Sequence, residues 1–576
     1  MNVLAETDSD KAEALQDFFS SVYTIEPTDD FENLPSMTNS SHKSMTPLSL
    51  TEDIVLKKLS QLKLGKSPGL DQLHPRILYE TRDVIAYPLY LIFNKSLQTG
   101  ILPSDWKLAE VTAVHKKGSK SDRGNYRPIS LTSVCCKMLE SIVRDHIMKY
   151  LLDNKLLSNK QYGFTKGRST MLQLLRMTDT WTECLEQGGQ VDSIYTDFEK
   201  AFDKVPHRRL ISKLHSYGIN DNIIIWIQDF LKARKYRVKV NTGYSGWHYV
   251  TSGIPQGSVL GPLLFLIYIN DLVDCCSNYS DIYMFADDAK FFRHIVQPHD
   301  ISILQQAIDA LQQWTQKWLL CLNIKKCKVV SYGRNVDKSY TYKLADSSNQ
   351  DTTLERGEKI KDLGVWFDEK LTFKDHINDK INVAYLMLGL IKRNFKYVTI
   401  PTFVMLYKSM VRSHLDYCCS VWTPYRKGDI EALEKVQRRA TKMLPALKSL
   451  PYKDRLKACN LSTLHYRRIR GDMIETYKIL TGKYDTLVSP TLTRASSCIT
   501  RGNDLRLQKN RFKYDLRKYC FCNRVVNIWN SLPNHVVSAN TTNVFKNRLD
   551  KFWHDQEIIY DFNAQLEGTG SRSAVE

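Results

Sequence analysis

The sequence predicts an α+β protein built from several subdomains, and three observations predict it. At 576 residues the chain is longer than one hydrophobic core usually organises. Two short strand patterns, Ser193 to Asp197 and the hairpin Ile282 to Arg293, set apolar and aromatic residues beside bare carboxylates. Beyond residue 372 the apolar residues recur at helical spacing instead.

Residues 1–45 read as a polar lead-in, with a short amphipathic helix from Ala12 to Tyr23 and a linker from Pro27 to Ser44. A helix is expected to start near Thr51, because Glu52 and Asp53 suit the positive end of its dipole. Val55, Leu59 and Leu62 form its apolar face, and Gly65 ends it. Pro206 opens and Gly218 closes a helix over His207 to Tyr217, with Leu210, Leu214 and Tyr217 on one side. Another begins near Gly261. Phe403, Leu406, Tyr407, Met410 and Val411 make one core-facing stripe. Ile430, Leu433, Ala440 and Leu444 make a second, while Lys435, Arg438, Arg439 and Lys442 take other faces. From about residue 471 a basic segment interleaves aromatics with cations, as in Arg511 to Tyr514 and Arg517 to Tyr519. That pattern suits stacking on single-stranded nucleic acid. It equally suits amphipathic helices packed against the preceding bundle.

Lysine and arginine number 81 against 62 acids, a surplus of 19, and the pI is near 9.2. Such a surplus favours a polyanionic partner, since cations that contact phosphates release bound counterions; it also serves simple solubility. The thirteen cysteines include adjacent pairs at 135–136, 275–276 and 418–419, and Cys520 with Cys522. None has zinc-ligand spacing, so reduced thiols of an intracellular protein are expected. Neither a signal segment nor a long apolar run occurs, so no membrane partner is expected.

The chemistry centres on Asp287 and Asp288. Adjacent like charges repel, and a fold that keeps them together usually supplies a cation. An Asp-Asp turn also arises simply because aspartate tolerates left-handed backbone. If the strand ending at Asp197 pairs with the hairpin, three carboxylates converge. That donor set suits a pair of hard cations clamping the oxygens of a phosphoryl transfer. Glu199 and Asp203 also lie close in sequence, but a helix after the strand would turn them elsewhere.

Phe285-Ala-Asp-Asp288 and its surroundings resemble the reverse transcriptase of non-LTR, LINE-type or jockey-like retrotransposons. Leu64 to Asp71 with His74-Pro75, Asn125 to Leu131, Gln161 to Phe164 with Gly167 to Ser169, and Asp197 to Asp203 resemble successive blocks of that family. Ser252 to Pro262, Asn323 to Lys326 and Leu363 to Trp366 complete the order. The resemblance implies a right-hand polymerase: fingers over 46–190, a palm with an antiparallel sheet and motifs A to E over 191–372, and a helical thumb over 373–470. A helical basic extension over 471–576 would follow.

It also implies roles. Asp197 and Asp287 are the principal Mg2+ ligands, with Asp288 beside them and the Phe198 carbonyl completing one site; Mn2+ is the expected substitute. Arg127, and Lys116 or its neighbour Lys117, face the incoming triphosphate. Phe202 is either a gate against the ribose hydroxyl or a core residue. Gln256 and Gly257 contact the template base pair and nucleotide. Lys326 delivers a proton to pyrophosphate or neutralises it, although Cys327 stands where the family commonly has threonine. Leu363 and Gly364 open a hairpin that presses on the primer. The implied partners are an RNA template, a DNA primer or target, and deoxynucleoside triphosphates. An endonuclease would come from a missing N-terminal domain or in trans, Met1 then being an internal start or the edge of a truncated copy. The expected setting is a ribonucleoprotein of nucleus and cytoplasm. Other readings are a maturase-associated or telomerase-type polymerase, and a catalytically inactive or domesticated nucleic-acid-binding relic.

Overall fold

The computed structural model describes residues 5–27, 34–35, 37, 43–345, 350–495, 503 and 505–568. Its strands, in chain order, begin with β1 (Leu108–His115), β2 (Tyr126–Leu131), β3 (Gln190–Thr196), β4 (Lys235–Val240), β5 (Gly243–Tyr244) and β6 (His248–Tyr249). They continue with β7 (Asp281–Phe285), β8 (Asp288–Ile295), β9 (Lys328–Tyr332), β10 (Lys343–Ala345) and β11 (Asp351–Thr353). β12 (Glu355–Arg356), β13 (Lys359–Asp362) and β14 (Val365–Asp368) complete the series. The α+β expectation holds: helices dominate after residue 372, and most strand pairings are antiparallel.

The sheet that carries the carboxylates has the order β12-β9-β3-β8-β7, antiparallel except where β12 joins β9. Successive side chains of a strand point to opposite faces, and here both faces are covered. Ile194, Met284, Phe291 and Val329 face one core, which includes the helices Val134–Asp153 and Gly261–Ile269. Val191, Tyr195, Phe292 and Val330 face a second, which includes the helix Thr170–Glu186 and the helices beyond residue 372. That double burial is why β3 is buried along its whole length. Its one carboxylate, Asp192, is fully buried and accepts hydrogen bonds from Tyr340 Oη at 2.6 Å, Tyr342 Oη at 2.8 Å and Gln190 Nε2 at 2.8 Å.

The lead-in is more structured than its polarity suggests. A helix over Asp8–Ser21 is closed at its start by a reciprocal capping box between Thr7 and Asp10. Ala12, Leu15 and Phe19 pack on Ala109, Val111, Tyr236 and Val238 of the β1–β4 sheet. Thr24 then ties the segment down, its N–H donating to Ser252 Oγ at 2.8 Å and its hydroxyl to the Lys204 carbonyl at 2.9 Å. Most of the Pro27–Ser44 linker lies outside the described residues.

Several element bounds move. The helix capped by Thr51 ends at Ser60 rather than at Gly65. The boundary drawn at 190 falls at the start of β3, and the one at 470 falls inside the helix Leu464–Leu480. The helices His207–Ser216 and Gly261–Ile269 stand where Pro206, Gly218 and Gly261 place them. In the stripe after residue 400, Phe403, Tyr407 and Val411 are buried. The helix there widens to π geometry over Tyr407–Arg412, a register that four-residue spacing does not reveal. No helix among the described residues is long and apolar enough to cross a membrane.

His376 offers a stability test. Its ring is fully buried, meets Trp422 edge-on at 4.9 Å, and accepts the Trp366 N–H on Nδ1 at 3.2 Å. Burial pushes its pKa down to about 3, so the unfolded chain takes up a proton near pH 6.5 that the folded chain refuses. Stability therefore falls as pH drops below 6.5, by about 1.4 kcal/mol per unit from this group. Urea unfolding at pH 7 and pH 5 should show about 2 kcal/mol more acid sensitivity in the native chain than in His376→Gln. Equal slopes in the two proteins would refute this assignment.

Candidate active site

β7 and β8 form the expected hairpin, with Phe285 paired to Asp288. Ala286, in the turn between them, adopts φ +56°. β3 pairs antiparallel with β8, Thr196 lying opposite Ala289. One residue further along that register, Asp197 comes opposite Asp288. The strands thus deliver all three carboxylates to one end of the sheet. Beyond β3, the Asp197 carbonyl accepts the Asn323 N–H at 2.7 Å and the Glu199 N–H donates to the Cys321 carbonyl at 2.9 Å. This short ladder fixes Phe198 opposite Leu322, with its ring buried against Trp314.

Electrostatics confirm the proximity. Desolvation, and after it the Asp197 charge, raise the pKa of Asp287. Desolvation and then the Asp287 charge push Asp288 up to about 6. Asp288 is exposed to water, which screens the repulsion from its neighbour. Asp197 has a counter-cation, Lys326 Nζ at 2.8 Å from Oδ2. Among the described residues no ion pair engages Asp287 or Asp288. No cluster of three His, Cys, Asp or Glu side chains is drawn tightly enough to hold a metal either. The donor chemistry, hard carboxylate oxygens with unbalanced charge, nonetheless fits a hard divalent cation.

Lys116 lies in the loop connecting the neighbouring strands β1 and β2, and Arg127 on β2. β1 and β2 pair so that Val114 stands opposite Arg127, and the Lys116 N–H closes the loop on the Asn125 carbonyl. Desolvation, then the charges of Arg127 and Lys326, lower the pKa of Lys116, against the pull of Asp197. Site cations and a site carboxylate thus both act on Lys116.

Other candidate residues are held by protein groups. Gln256 Nε2 donates to Asp203 Oδ1 at 2.8 Å, and its carbonyl accepts the Ser130 N–H. Gly257 has φ +119°, and a Cβ there would meet the Ser130 carbonyl at 2.5 Å; its close approach in this structure is to β2. The ring of Phe202 is half-buried, stacked on Phe265 at 4.3 Å and edge-on to Phe164 at 6.3 Å. β13 and β14 form the hairpin expected at 363–364. Its turn rests on Tyr417, whose hydroxyl donates to the Leu363 carbonyl at 2.8 Å. A Cβ on Gly364 would meet that ring at 3.0 Å.

One expectation changes, and one choice left open is narrowed. Residues 199–203 form turns, with Lys200 at φ +49°, and no helix begins before His207. Asp203 is half-buried there, and its Oδ1 accepts a hydrogen bond from Gln256 Nε2. The cation–aromatic run after residue 511 is occupied by the fold. Arg517 is buried against Asp179 at 2.5 Å, Tyr519 stacks on Tyr425 at 4.2 Å, and Arg334 lies over the Tyr514 ring at 3.7 Å. Packing against the bundle is therefore the reading the structure supports there. An exposed run of the same composition occurs instead at Lys392 to Tyr397, with Tyr397 99 % exposed.

A carboxylate trio at one end of a mixed sheet, faced by cations from a second sheet, lies within residues 114–367. Those residues match the model of the reverse transcriptase (RNA-dependent DNA polymerase) family. The chain's relatives are polymerases of mobile elements. The chain is 26 % identical over 449 residues to the probable RNA-directed DNA polymerase from transposon BS of Drosophila melanogaster, covering 73 % of this chain and 47 % of that protein. It is 28 % identical over 415 residues to the RNA-directed DNA polymerase from mobile element jockey of the same species, covering 69 % and 44 %. The jockey polymerase of Drosophila funebris is 29 % identical over 421 residues, covering 70 % and 44 %. The chain thus spans about half the length of the curated relatives it matches.

Proposed function

We propose that this chain is the RNA-directed DNA polymerase of a non-LTR retrotransposon, copying an RNA template into DNA from a primer at a nicked target. The observation that carries the reading is the meeting of Asp197 with Asp287 and Asp288 at the paired ends of β3 and β8, inside the residues that match the reverse transcriptase family. Residues 46–190, 191–372 and 373–470 are then fingers, palm and thumb, with 471–576 packed behind them.

Asp197, Asp287, Asp288 and the Phe198 carbonyl would hold Mg2+, or Mn2+ in its place. Such cations, when bound, polarise the attacking hydroxyl and neutralise charge on the transferred phosphoryl group. Arg127, with a planar fork of donors, orients the triphosphate, and Lys116 adds a compact positive charge. Lys326, paired with Asp197, would be the cation placed to neutralise or protonate the departing pyrophosphate. Gln256, braced by Asp203, lies beside the template base pair. Lys392 to Tyr397 presents cations and rings to the nucleic acid. Its partners are RNA template, DNA primer or target and deoxynucleotides, with an endonuclease contributed by another segment or in trans. Its setting is a ribonucleoprotein of nucleus and cytoplasm.

The test is dTTP incorporation on poly(rA)/oligo(dT) by the purified chain, with and without Mg2+, beside Asp287→Asn/Asp288→Asn. Cation-dependent synthesis by the native chain and none by the variant is expected. A folded chain that binds template–primer but incorporates nothing would instead support the relic reading.

Phe202 supplies a specificity test. A ring under C2′ excludes a ribose hydroxyl by volume, so Phe202→Val should lower discrimination against UTP relative to dTTP by about tenfold or more. If the ring serves only the stack with Phe265, that ratio stays unchanged while thermal stability falls.

A further inference from the structure

Gln161 is buried, only 3 % exposed, and its side-chain amide is committed to the turn that presents the carboxylates. Oε1 accepts the Ala286 N–H at 2.8 Å and the Gly163 N–H at 2.8 Å, and Nε2 donates to the Ala286 carbonyl at 3.3 Å. One side chain thus binds both polar backbone groups of Ala286, the residue at φ +56° immediately before Asp287. Left-handed backbone is disfavoured for a residue with a Cβ and persists where its surroundings impose it.

The backbone around Gln161 is clamped as well. The Tyr162 N–H donates to the Met284 carbonyl at 2.8 Å, and the Met284 N–H to the Lys160 carbonyl at 2.9 Å. Gly163 fits so closely that a Cβ would lie 2.5 Å from the Ala286 nitrogen. Arg168, behind this segment, donates through Nη1 to the carbonyls of Ser158 at 2.8 Å and Gln161 at 2.6 Å. Its other guanidinium nitrogens grip Asp485, with Nε at 2.9 Å and Nη2 at 2.8 Å from Oδ2. The Asp485 N–H returns a bond to the Gly167 carbonyl at 3.1 Å, and the Tyr162 hydroxyl donates to the Val488 carbonyl at 3.0 Å.

We propose that Gln161 is the positioning residue of the Asp287–Asp288 turn, and that Arg168, anchored on Asp485, braces it. A segment some two hundred residues downstream (485–488) thereby sets the geometry at the reacting end of the sheet. The proposal rests on the polymerase reading for its effect on rate, and on the hydrogen bonds alone for its effect on the turn.

The test uses the full chain with Gln161→Met, Asp485→Asn and the double variant. Amide exchange of a peptide spanning residues 282–290 is read first, because it needs no activity. Gln161→Met should speed exchange there about tenfold, one decade for an amide that has lost its acceptor. Single-turnover dTTP incorporation is read next. The expected result is a rate about ten- to a hundredfold lower, with affinities for dTTP and template–primer within about twofold, as for a misplaced reacting group. Asp485→Asn should move both readouts in the same direction by about threefold, since it removes one charge from the brace and leaves the amide in place. The double variant should be no slower than Gln161→Met alone, because both changes act through one turn. Unchanged exchange in Gln161→Met overturns the proposal, as do rates that multiply in the double variant. Should Gln161→Met fail to fold, Asp485→Asn and Gly163→Ala carry the same two readouts, the latter by pushing on Ala286 directly. A native chain that incorporates nothing overturns the polymerase reading, and the exchange result alone then decides the positioning.

Discussion

Asp287→Asn is expected to cut nucleotide incorporation by about a thousandfold or more while leaving the fold intact. An amide has the shape of the carboxylate without its charge, so the end of β8 loses its hold on a hard cation. Stability should move the other way. Asp287 is held above the ordinary carboxylate range by desolvation and by Asp197, and Asp288, at about 6, by desolvation and by Asp287. Both groups bind protons more readily in the folded chain than in the unfolded one. Their contribution to stability is full below pH 4 and is lost as pH rises through their raised folded values, about 6 for Asp288. Neutralising either removes that loss, so Asp287→Asn and Asp288→Asn should melt at or above the native temperature at pH 7. Calorimetry beside the incorporation assay checks both halves. An inactive variant that also melts lower would mean that Asp287 serves the fold.

Asp362→Asn is expected to destabilise the chain by about 3–5 kcal/mol. Asp362 closes β13 and forms a short ion pair with Lys290 Nζ of β8, the two side chains being 4 % and 2 % exposed. The ammonium also lies 5.9 Å from the centre of the Tyr195 ring. Replacing the acid leaves that charge buried without compensation, the most costly way to break such a pair. Replacing both, as Lys290→Met/Asp362→Leu, should return stability to within about 1 kcal/mol of native, because matched apolar groups need no partner. Urea unfolding of the two single variants and the double closes the cycle. A double variant as unstable as the singles would show that the site depends on packing rather than on charge. The pair matters for function because it fastens the hairpin at Leu363 and Gly364 to the strand that begins with Asp288.

The carboxylate end of the sheet was legible because its signals are local. An apolar strand stopping at Asp197, and an apolar hairpin with acids at its tip, announce themselves within a dozen residues, and Pro206 and Gly218 bracket a helix just as locally. Thr7 and Asp10 carry a capping-box spacing that would have started the first helix four residues earlier than Ala12. What stayed hidden depends on partners far along the chain. Arg517 looks like a solvent cation until Asp179 is placed beside it. Gln161 carries no charge and no periodicity, and its meaning lies in the backbone of Ala286. Asp203 sits where a helix was expected, and left-handed Lys200 is what prevents one.

β3 also carries a consequence for synthesis. Its partners β8 and β9 end at residues 295 and 332, and the hydroxyls that satisfy Asp192 arrive only with Tyr340 and Tyr342. A ribosome adding about 5–20 residues per second needs roughly seven to thirty seconds to extend the chain from β3 to Tyr342. A strand with two apolar faces lacks a partner until β8 emerges, and its buried acid stays unsatisfied until Tyr342 follows. Nascent chains of this protein should therefore engage chaperones from the emergence of β3 until residue 342 has cleared the exit tunnel, and shed them together once it has.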